Sequence, residues 1–443
     1  MQKLLGYVFS SLSHLKSIDR QTRLDVFWVG IIQMANYLFP FLATTHLIRT
    51  IGVDRFGQTE FATYITLYFI TIVNYEFHIT GTRSFSRAAN NPARINSLFN
   101  TLLTTKTYLL GISTLLFLAM VIIWPSRFYN PLFLLTYLIV IGHYFYPPFI
   151  FQGLGRVRTL AILNFLIKAL STGMLFITIR QRNDYQWVNL NYSLSYILIG
   201  VISFFAACRI YHLHIQWKGL RLVVLSLKRG FYIFLTSGII AQITLNLSAV
   251  LLGLFLPSQV LGNYSAALKL IIAFQVMAIL PIRQVFFPKL SSLWVRDKPL
   301  YKKNVKTYFL LMTGSTLVLG ILILVFAPWV IRLVYGGYFP QMILCMRMLA
   351  FLPFLTALNN VFITDGLIIL GKDRLVFHIQ LVLASLNIIV LLLMVPRYGL
   401  MTVLIVRNVL ESLGCIAGFF AFKKILRIEW QAWQKPLTPN LHT

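Results

Sequence analysis

Residues 262–269 read GNYSAALK inside a long apolar stretch, and residues 56–64 read FGQTEFATY in a similar setting. Phe56 aligns with Leu261 and Gly57 with Gly262, and this constant offset continues to Ala62 and Ala267. Each copy follows one apolar stretch and opens the next. The pattern predicts an internal repeat, and the lysine that ends the second copy stands where hydrocarbon is expected.

The composition around these copies is that of an integral membrane protein, with 58% hydrophobic and only 11% charged residues. About 20 apolar residues cross the hydrocarbon layer as a helix. Cutting the chain at Gly, Pro and charge clusters predicts twelve spans, at 26–48, 57–79, 98–121, 131–152, 158–180, 188–208, 230–254, 262–287, 306–326, 339–363, 375–395 and 400–422. The predicted fold class is therefore an all-α membrane protein.

The twelve spans divide into two halves of six with the same topology, as parallel repeats have. A weaker match between Gly153–Arg156 and Ile369–Lys372 supports this division. We expect two pseudo-symmetric six-helix lobes around a central cavity. The predicted parts are an interfacial amphipathic segment at 1–25, an N-lobe at 26–208, a cytoplasmic linker at 209–229, a C-lobe at 230–422 and a cytoplasmic tail at 423–443.

The net charge of +28 does not indicate nucleic acid, because most Lys and Arg residues fall on one side of the predicted spans. By the positive-inside rule that side is the cytoplasm, and both termini lie there. The excess then faces the anionic inner leaflet. Cys208, Cys345 and Cys415 are widely separated and suggest neither disulfides nor a metal site, and we find no motif for a cofactor.

Nine charged residues within the spans, and Asp365 just beyond the end of span ten, form one set, and charges at that depth usually face a cavity or a partner. The basic ones are Lys106, Lys168, Lys269, Arg283, Arg347 and Arg407; the acidic ones are Glu60, Glu76, Asp365 and Glu411. Their positive surplus suits an anionic cargo, since ammonium and guanidinium groups hold phosphate by charge-assisted hydrogen bonds. In this interpretation Lys269 faces such a cargo or neutralises Glu60.

Helical periodicity groups further polar residues on shared faces. On span two one stripe contains Glu60, Tyr64, Thr71, Asn74 and His78, whereas Glu76 points nearly the opposite way. Asn36 lies on a polar face of span one, and Asn164 shares a face of span five with Lys168. Lys269 and Arg283 lie close together in angle on span eight, so they can face one cavity.

Structural roles are open for several of these charges. Lys106, Arg283 and Arg347 lie within three turns of a span end and could extend to the interface. Arg347 and Asp365 are about 27 Å apart on one helix face and cannot pair. Arg407 and Glu411 are four residues apart, so an intrahelical ion pair is available to them.

Five motifs resemble those of polysaccharide (O-antigen) flippases of the Wzx type, in the family's order. They are Ile51–Gly57, Gly81–Arg83 with Arg87, Phe151–Leu154, Phe287–Ser291, and Ala327–Pro328 through Tyr335–Tyr338. The family belongs to the multidrug/oligosaccharidyl-lipid/polysaccharide exporter superfamily. One departure is Glu76-Phe77-His78, where many relatives have an acidic residue followed closely by glycine, so the end of span two is expected to pack differently.

The resemblance implies a non-enzymatic flippase that moves undecaprenyl-pyrophosphate-linked oligosaccharide repeat units across the bacterial cytoplasmic (inner) membrane by alternating access. Partners would be membrane lipids and, in the cell, a polysaccharide polymerase and a chain-length regulator. We expect the pyrophosphate and glycan to contact Lys168, Lys269, Arg283, Arg347, Asn36 and Asn164. Glu60, Asp365 and Glu411 are the candidates for ion coupling.

Two alternative functions remain open, and a third, a structural scaffold, is disfavoured. A cation-coupled multidrug exporter of the same fold would favour an acidic cavity. A membrane polysaccharide polymerase or glycosyltransferase would carry a long external loop, which these span boundaries do not leave, and no catalytic motif is visible. A purely structural scaffold does not explain charges on aligned faces.

Overall fold

The computed structural model describes residues 20–434, and these form helices and turns with no β-strand among them. The membrane-protein helical fold class predicted from the sequence is confirmed. The interfacial segment predicted at 1–25 lies largely outside the described residues, as does the end of the predicted tail at 423–443.

The helices are numbered α1–α16 in chain order. The first eight are α1 (Arg20–Asn74), α2 (Phe77–Ala88), α3 (Pro92–Ile123), α4 (Pro125–Phe128), α5 (Pro131–Phe145), α6 (Pro148–Gly153), α7 (Val157–Thr178) and α8 (Tyr185–Tyr211). The others are α9 (Leu220–Ile233), α10 (Ala241–Phe255), α11 (Ser258–Arg296), α12 (Lys298–Tyr335), α13 (Pro340–Met348), α14 (Leu352–Asn359), α15 (Asp373–Tyr398) and α16 (Leu400–Gln434). Two π-helical segments, Phe234–Ile240 and Asn360–Leu367, precede α10 and follow α14.

Ten helical segments of the described chain are long and apolar enough to cross a membrane. The long helix α1 adds the region of the first two predicted spans. Gly52 divides it with φ of 80°, a conformation that glycine adopts without steric cost. This break falls between the predicted spans 26–48 and 57–79. The total of twelve spans stays a prediction.

Three spans predicted as continuous helices are broken in the structure. Span two is interrupted at Tyr75 and Glu76, and span four between Phe145 and Pro148. Span ten is interrupted between Met348 and Leu352 and then continues into a π-helical segment. Apolar composition does not report such breaks, because it measures length in hydrocarbon and not backbone geometry.

The chain divides into two compact units. The first contains the described residues up to Ala266 together with Val334–Gly337, and the second contains Ala267–Leu333 and the described residues from Tyr338 onward. An aromatic core that includes Phe85, Phe99 and Phe149 stabilises the first unit. Tyr301, Tyr308 and Met312 are central to the core of the second. The lobe boundary predicted at 209–229 stays a prediction.

The two copies of the repeated motif contact each other within the first unit. A Cβ atom on Gly57 would overlap the backbone of Ser258 and Gly262, and a Cβ on Gly262 would overlap the backbone of Val53. Val53 and Gly57 correspond to Ser258 and Gly262 in the sequence repeat. The contact is therefore reciprocal, as in a local twofold arrangement. The Ser258 hydroxyl also donates to the Asp54 carboxylate.

We predict that Gly57→Ala and Gly262→Ala each lower the thermal unfolding midpoint or prevent accumulation of folded protein. The added methyl group would overlap backbone atoms of the other helix. The free energy of unfolding should therefore fall by at least about 1–3 kcal/mol, which is typical of overpacking. Gly111→Ala is the control, because no other group lies within 4 Å of the place its methyl group would occupy. Thermal unfolding in detergent measures all three. Equal midpoints for Gly57→Ala and Gly111→Ala would contradict the close contact.

Candidate functional site

The break in span two places two non-glycine residues in the left-handed conformation, with φ of 44° at Tyr75 and 55° at Glu76. Such residues need support from their surroundings. The Tyr75 hydroxyl donates to the Leu227 carbonyl at 3.0 Å, and its ring stacks on Phe234 at 4.2 Å between centroids. These contacts with α9 and the π-helical segment stabilise the break.

The break turns the Glu76 side chain toward the polar stripe of span two. Glu76 Oε2 lies 3.1 Å from His78 Nδ1, and both residues line a cavity of about 330 Å³ with Asn74, Lys106 and His143. The prediction that Glu76 points away from this stripe is wrong. It assumed a regular helix, and the two left-handed residues change the rotation between Asn74 and His78.

Lys106, on the wall of the same cavity, caps the C-terminal end of helix α5. Its ammonium group donates to the His143 carbonyl at 2.7 Å and to the Tyr146 carbonyl at 3.3 Å. A helix would supply the His143 carbonyl with the N–H of residue 147, but Pro147 has none. A cation at a helix C-terminus also complements the helix dipole. Lys106 is only 3% exposed, so it does not extend to the interface, which is one of the two roles that the sequence left open.

We predict that Lys106→Met destabilises the protein by about 1.5–3 kcal/mol, since it removes hydrogen bonds from a charged donor to buried carbonyls. Pro147→Ala should offset part of this loss in the double variant, because residue 147 can then donate to His143. Thermal unfolding of the four proteins of this cycle gives the coupling. Exposed Lys306→Met is the control, and strictly additive losses at 106 and 147 would contradict the capping role.

Lys168 and Asn36, both predicted to contact the substrate, are in contact in the structure. The Lys168 ammonium donates to the side-chain oxygen of Asn36. Lys168 also lines a small pocket of about 70 Å³ together with Tyr192 and Tyr196. Asn164 is more internal. Its amide group donates to the Tyr146 hydroxyl at 2.8 Å and to the Leu160 carbonyl at 2.9 Å.

In the second unit Arg283 pairs with Asp365. Arg283 Nε and Nη2 donate to Asp365 Oδ1 at 3.0 and 2.8 Å, and the Tyr308 hydroxyl donates to Asp365 Oδ2 at 2.6 Å. Asp365 is 1% exposed and the Arg283 side chain 38%. The sequence predicts that Arg283 binds the anion and that Asp365 couples an ion. It places them at different spans and does not predict that they pair.

We predict that Arg283→Gln lowers the free energy of unfolding, because the buried Asp365 keeps the Tyr308 hydroxyl but loses its charged partner. Breaking a buried ion pair typically costs about 3–5 kcal/mol. Because Arg283 is partly exposed, the loss here should lie near the lower end of that range. Lys372→Gln is the control; it breaks an exposed ion pair with Glu429 and should cost about 1 kcal/mol or less. Equal thermal midpoints for the two variants would contradict the importance of the buried pair.

The remaining predicted site residues occupy different environments. Glu411 accepts a hydrogen bond from the Asn359 side chain, and Arg407 Nε has no hydrogen-bond partner, so the described contacts do not include the ion pair that their spacing allows. Arg347 is exposed in the last turn of α13. Glu60 is buried and Lys269 half-buried, and their roles stay predictions.

Several polar residues of the site have no signal in helical periodicity. His143 faces Asn74, with 3.4 Å between His143 Nδ1 and Asn74 Nδ2, and its ring stacks on Tyr196. Tyr308 does not stand out in the sequence, because a tyrosine in an apolar span usually packs in the core. The adjacent prolines at 147 and 148 were the available signal for the Lys106 contacts. No group of residues suited to a metal occurs in the described chain.

Residues 23–294 match the family described as "Polysaccharide biosynthesis protein". The chain belongs to this family. A protein of Escherichia coli (strain K12) named "Putative O-antigen transporter" is 25% identical over 350 residues, which cover 77% of this chain and 82% of that protein. A protein of the same name from Shigella dysenteriae is 23% identical, covering 85% of this chain and 93% of the relative.

Solved structures show the fold. An inward-facing MATE family multidrug transporter of the MOP superfamily matches with a TM-score of 0.61 at 12% identity, over 91% of this chain and 99% of that one. The lipid II flippase MurJ, in an inward closed conformation, matches with a TM-score of 0.61 at 14% identity, over 89% and 88%. The family resemblance inferred from the sequence is confirmed, the fold is like that of these solved transporters, and the chain is a multi-pass membrane protein.

Proposed function

We propose that this protein is a flippase for undecaprenyl-pyrophosphate-linked oligosaccharide repeat units of a surface polysaccharide such as O-antigen. The family membership and the two relatives named as O-antigen transporters support this substrate class. MurJ, a lipid II flippase by its name, shares the fold. The substrate combines a long apolar tail with an anionic, sugar-bearing head, so the protein must offer both environments.

The single observation that carries the proposal is the environment of Lys168. This lysine lies ten residues from the start of predicted span five, and its hydrogen-bond acceptor is the neutral side-chain oxygen of Asn36. An amide oxygen does not cancel the ammonium charge. A pyrophosphate can therefore gain charge-assisted hydrogen bonds there, whereas a cationic drug would be repelled.

The other anion contacts in the proposal are Lys269, Arg347 and the exposed edge of Arg283. Asp365 is committed to Arg283 and Tyr308, so it could couple an ion only if protonation released Arg283. Glu60 and Glu411 are the other coupling candidates. Several moderate contacts suit a carrier, because a substrate that binds too firmly is not released.

In the proposed cycle the halves 26–208 and 230–422 expose the substrate alternately to the cytoplasm and to the external side of the bacterial inner membrane. Both termini lie in the cytoplasm, as the distribution of Lys and Arg indicates. A polysaccharide polymerase and a chain-length regulator would act on the delivered repeat units.

We predict that Lys168→Gln abolishes or strongly reduces delivery of surface polysaccharide, whereas Lys168→Arg retains a substantial part because the charge remains. Loss of a charged hydrogen bond of about 1.5–3 kcal/mol corresponds to roughly 10- to 150-fold weaker binding. The measurement is glycan display in cells that lack the native gene and carry each variant at equal membrane levels.

Lys303→Gln is the control for this test, because Lys303 is an exposed lysine and should leave delivery unchanged. Unchanged delivery with Lys168→Gln would contradict the role of this ammonium group. Drug resistance conferred by the wild-type protein without any effect on glycan display would contradict the substrate class.

A further inference from the structure

An apolar groove of about 590 Å³ runs between helices α7 and α8 of the first unit. Its walls repeat at helical spacing. From α7 they are Ile167, Leu170, Ser171, Met174 and Thr178, and from α8 they are Trp187, Leu190, Asn191, Leu194, Ser195, Ile197 and Leu198. Asp184, which directly precedes α8, also lines the groove and is the one charged residue among its described walls. Leu170, Leu194 and Leu198 are about half exposed. The volume is within the about 300–1,000 Å³ of ordinary ligand pockets.

The groove and the pocket that Lys168 lines have two residues in common. Ser171 and Ser195 line both the apolar groove and the small polar pocket. The Ser171 hydroxyl donates to the Asn191 side-chain oxygen at 3.0 Å, and Ser195 donates to the Asn191 carbonyl. The helix pair thus presents an apolar channel on one side and an ammonium group on the other.

We propose that this α7–α8 groove holds the first isoprene units of the substrate's polyprenyl tail while its phosphate lies at Lys168. The inference rests on the proposed function and assigns the tail a place that the family match does not name. A polyprenyl phosphate is apolar along its chain and anionic at one end, and the groove and the adjoining pocket reproduce this order. The charge at Lys168 complements the anionic end.

The geometry also assigns a direction to the bound chain. From Lys168 to Thr178 helix α7 rises about 15 Å, so the groove extends from the level of the ammonium group to the end of the helix. In the orientation predicted from the charges, that end is external. A head at Lys168 with a tail toward Trp187 has the direction of a lipid in the inner leaflet. Lys168 lies about 15 Å along span five from its inner end, so the groove holds the tail of a substrate whose phosphate has already left the inner surface.

An ordinary phospholipid chain is the rival occupant, since any exposed apolar surface in a membrane contacts acyl chains. The two differ in what the groove recognises. A groove that merely contacts the bilayer binds chains without regard to the head, whereas a tail site joined to Lys168 prefers a polyprenyl chain that carries phosphate. The decisive measurement is therefore whether crosslinking depends on both the polyprenyl chain and the phosphate.

The test uses the full-length protein in nanodiscs with a photo-crosslinking amino acid, p-benzoylphenylalanine, at Leu194 or at Leu116. Leu116 is the matched control; it is 50% exposed against 48% for Leu194 and lies on α3, away from the groove. The probe is undecaprenyl phosphate, with undecaprenol and dipalmitoyl phosphatidic acid as comparison lipids. Intact mass spectrometry counts the adducts.

We expect undecaprenyl phosphate to crosslink about tenfold more at position 194 than at 116. Excess phosphatidic acid should not compete, undecaprenol should crosslink less than the phosphate, and Lys168→Gln should remove that difference. Equal adducts at both positions, or full competition by phosphatidic acid, would overturn the groove assignment and leave an ordinary lipid contact.

The groove and the proposed function can fail separately. Leu194→Trp should fill the groove and reduce glycan delivery at limiting substrate, whereas Leu116→Trp should not. If Lys168→Gln blocks delivery but the crosslinks show no selectivity, the flippase assignment stands and the tail lies elsewhere. If selective crosslinks form but no glycan is delivered by the wild-type protein, the groove stands and the function falls.

Discussion

The absence of water in hydrocarbon is the constraint on which this structure depends. Every backbone carbonyl and N–H at that depth needs a partner inside the protein, and a broken helix leaves several without one. In the first unit Lys106 supplies the donor that Pro147 lacks. Arg127 has the same role at the end of α10, where it donates to the Gly253 carbonyl at 2.5 Å, because Pro257 has no N–H to supply. Basic side chains thus satisfy carbonyls that prolines leave without a donor at helix ends.

This role changes the meaning of the positive surplus within the spans. The sequence counts six basic residues in this surplus and predicts that four of them, Lys168, Lys269, Arg283 and Arg347, hold the anion. The structure commits Lys106 to two carbonyls and pairs Arg283 with Asp365. Lys168 differs from both, because its hydrogen-bond partner Asn36 is neutral and does not compensate the ammonium charge. The surplus that favours an anionic substrate is therefore carried by fewer residues than the count suggests.

The contact between Gly57 and Gly262 joins the sequence repeat to the fold. Two helices approach closely only where small residues stand at the crossing, and here the two glycines are equivalent positions of the repeat. The division of the chain into two related halves stays a prediction from the repeat. Solved structures with this fold include a multidrug transporter and a lipid II flippase, so the fold alone does not specify the substrate.

The sequence by itself determined the membrane class, the family and the residues worth inspecting, because hydropathy, charge bias and short motifs are properties of the chain alone. It named Lys168 and Asn36 among the residues of one predicted site, and the two side chains are hydrogen-bonded in the structure. Tertiary structure decided which charges are paired and where helices break. Glu76 shows the reason, since a helical projection assumes a constant rotation per residue and fails at two left-handed residues. Arg283 and Asp365 are 82 residues apart, and only packing brings such distant residues together.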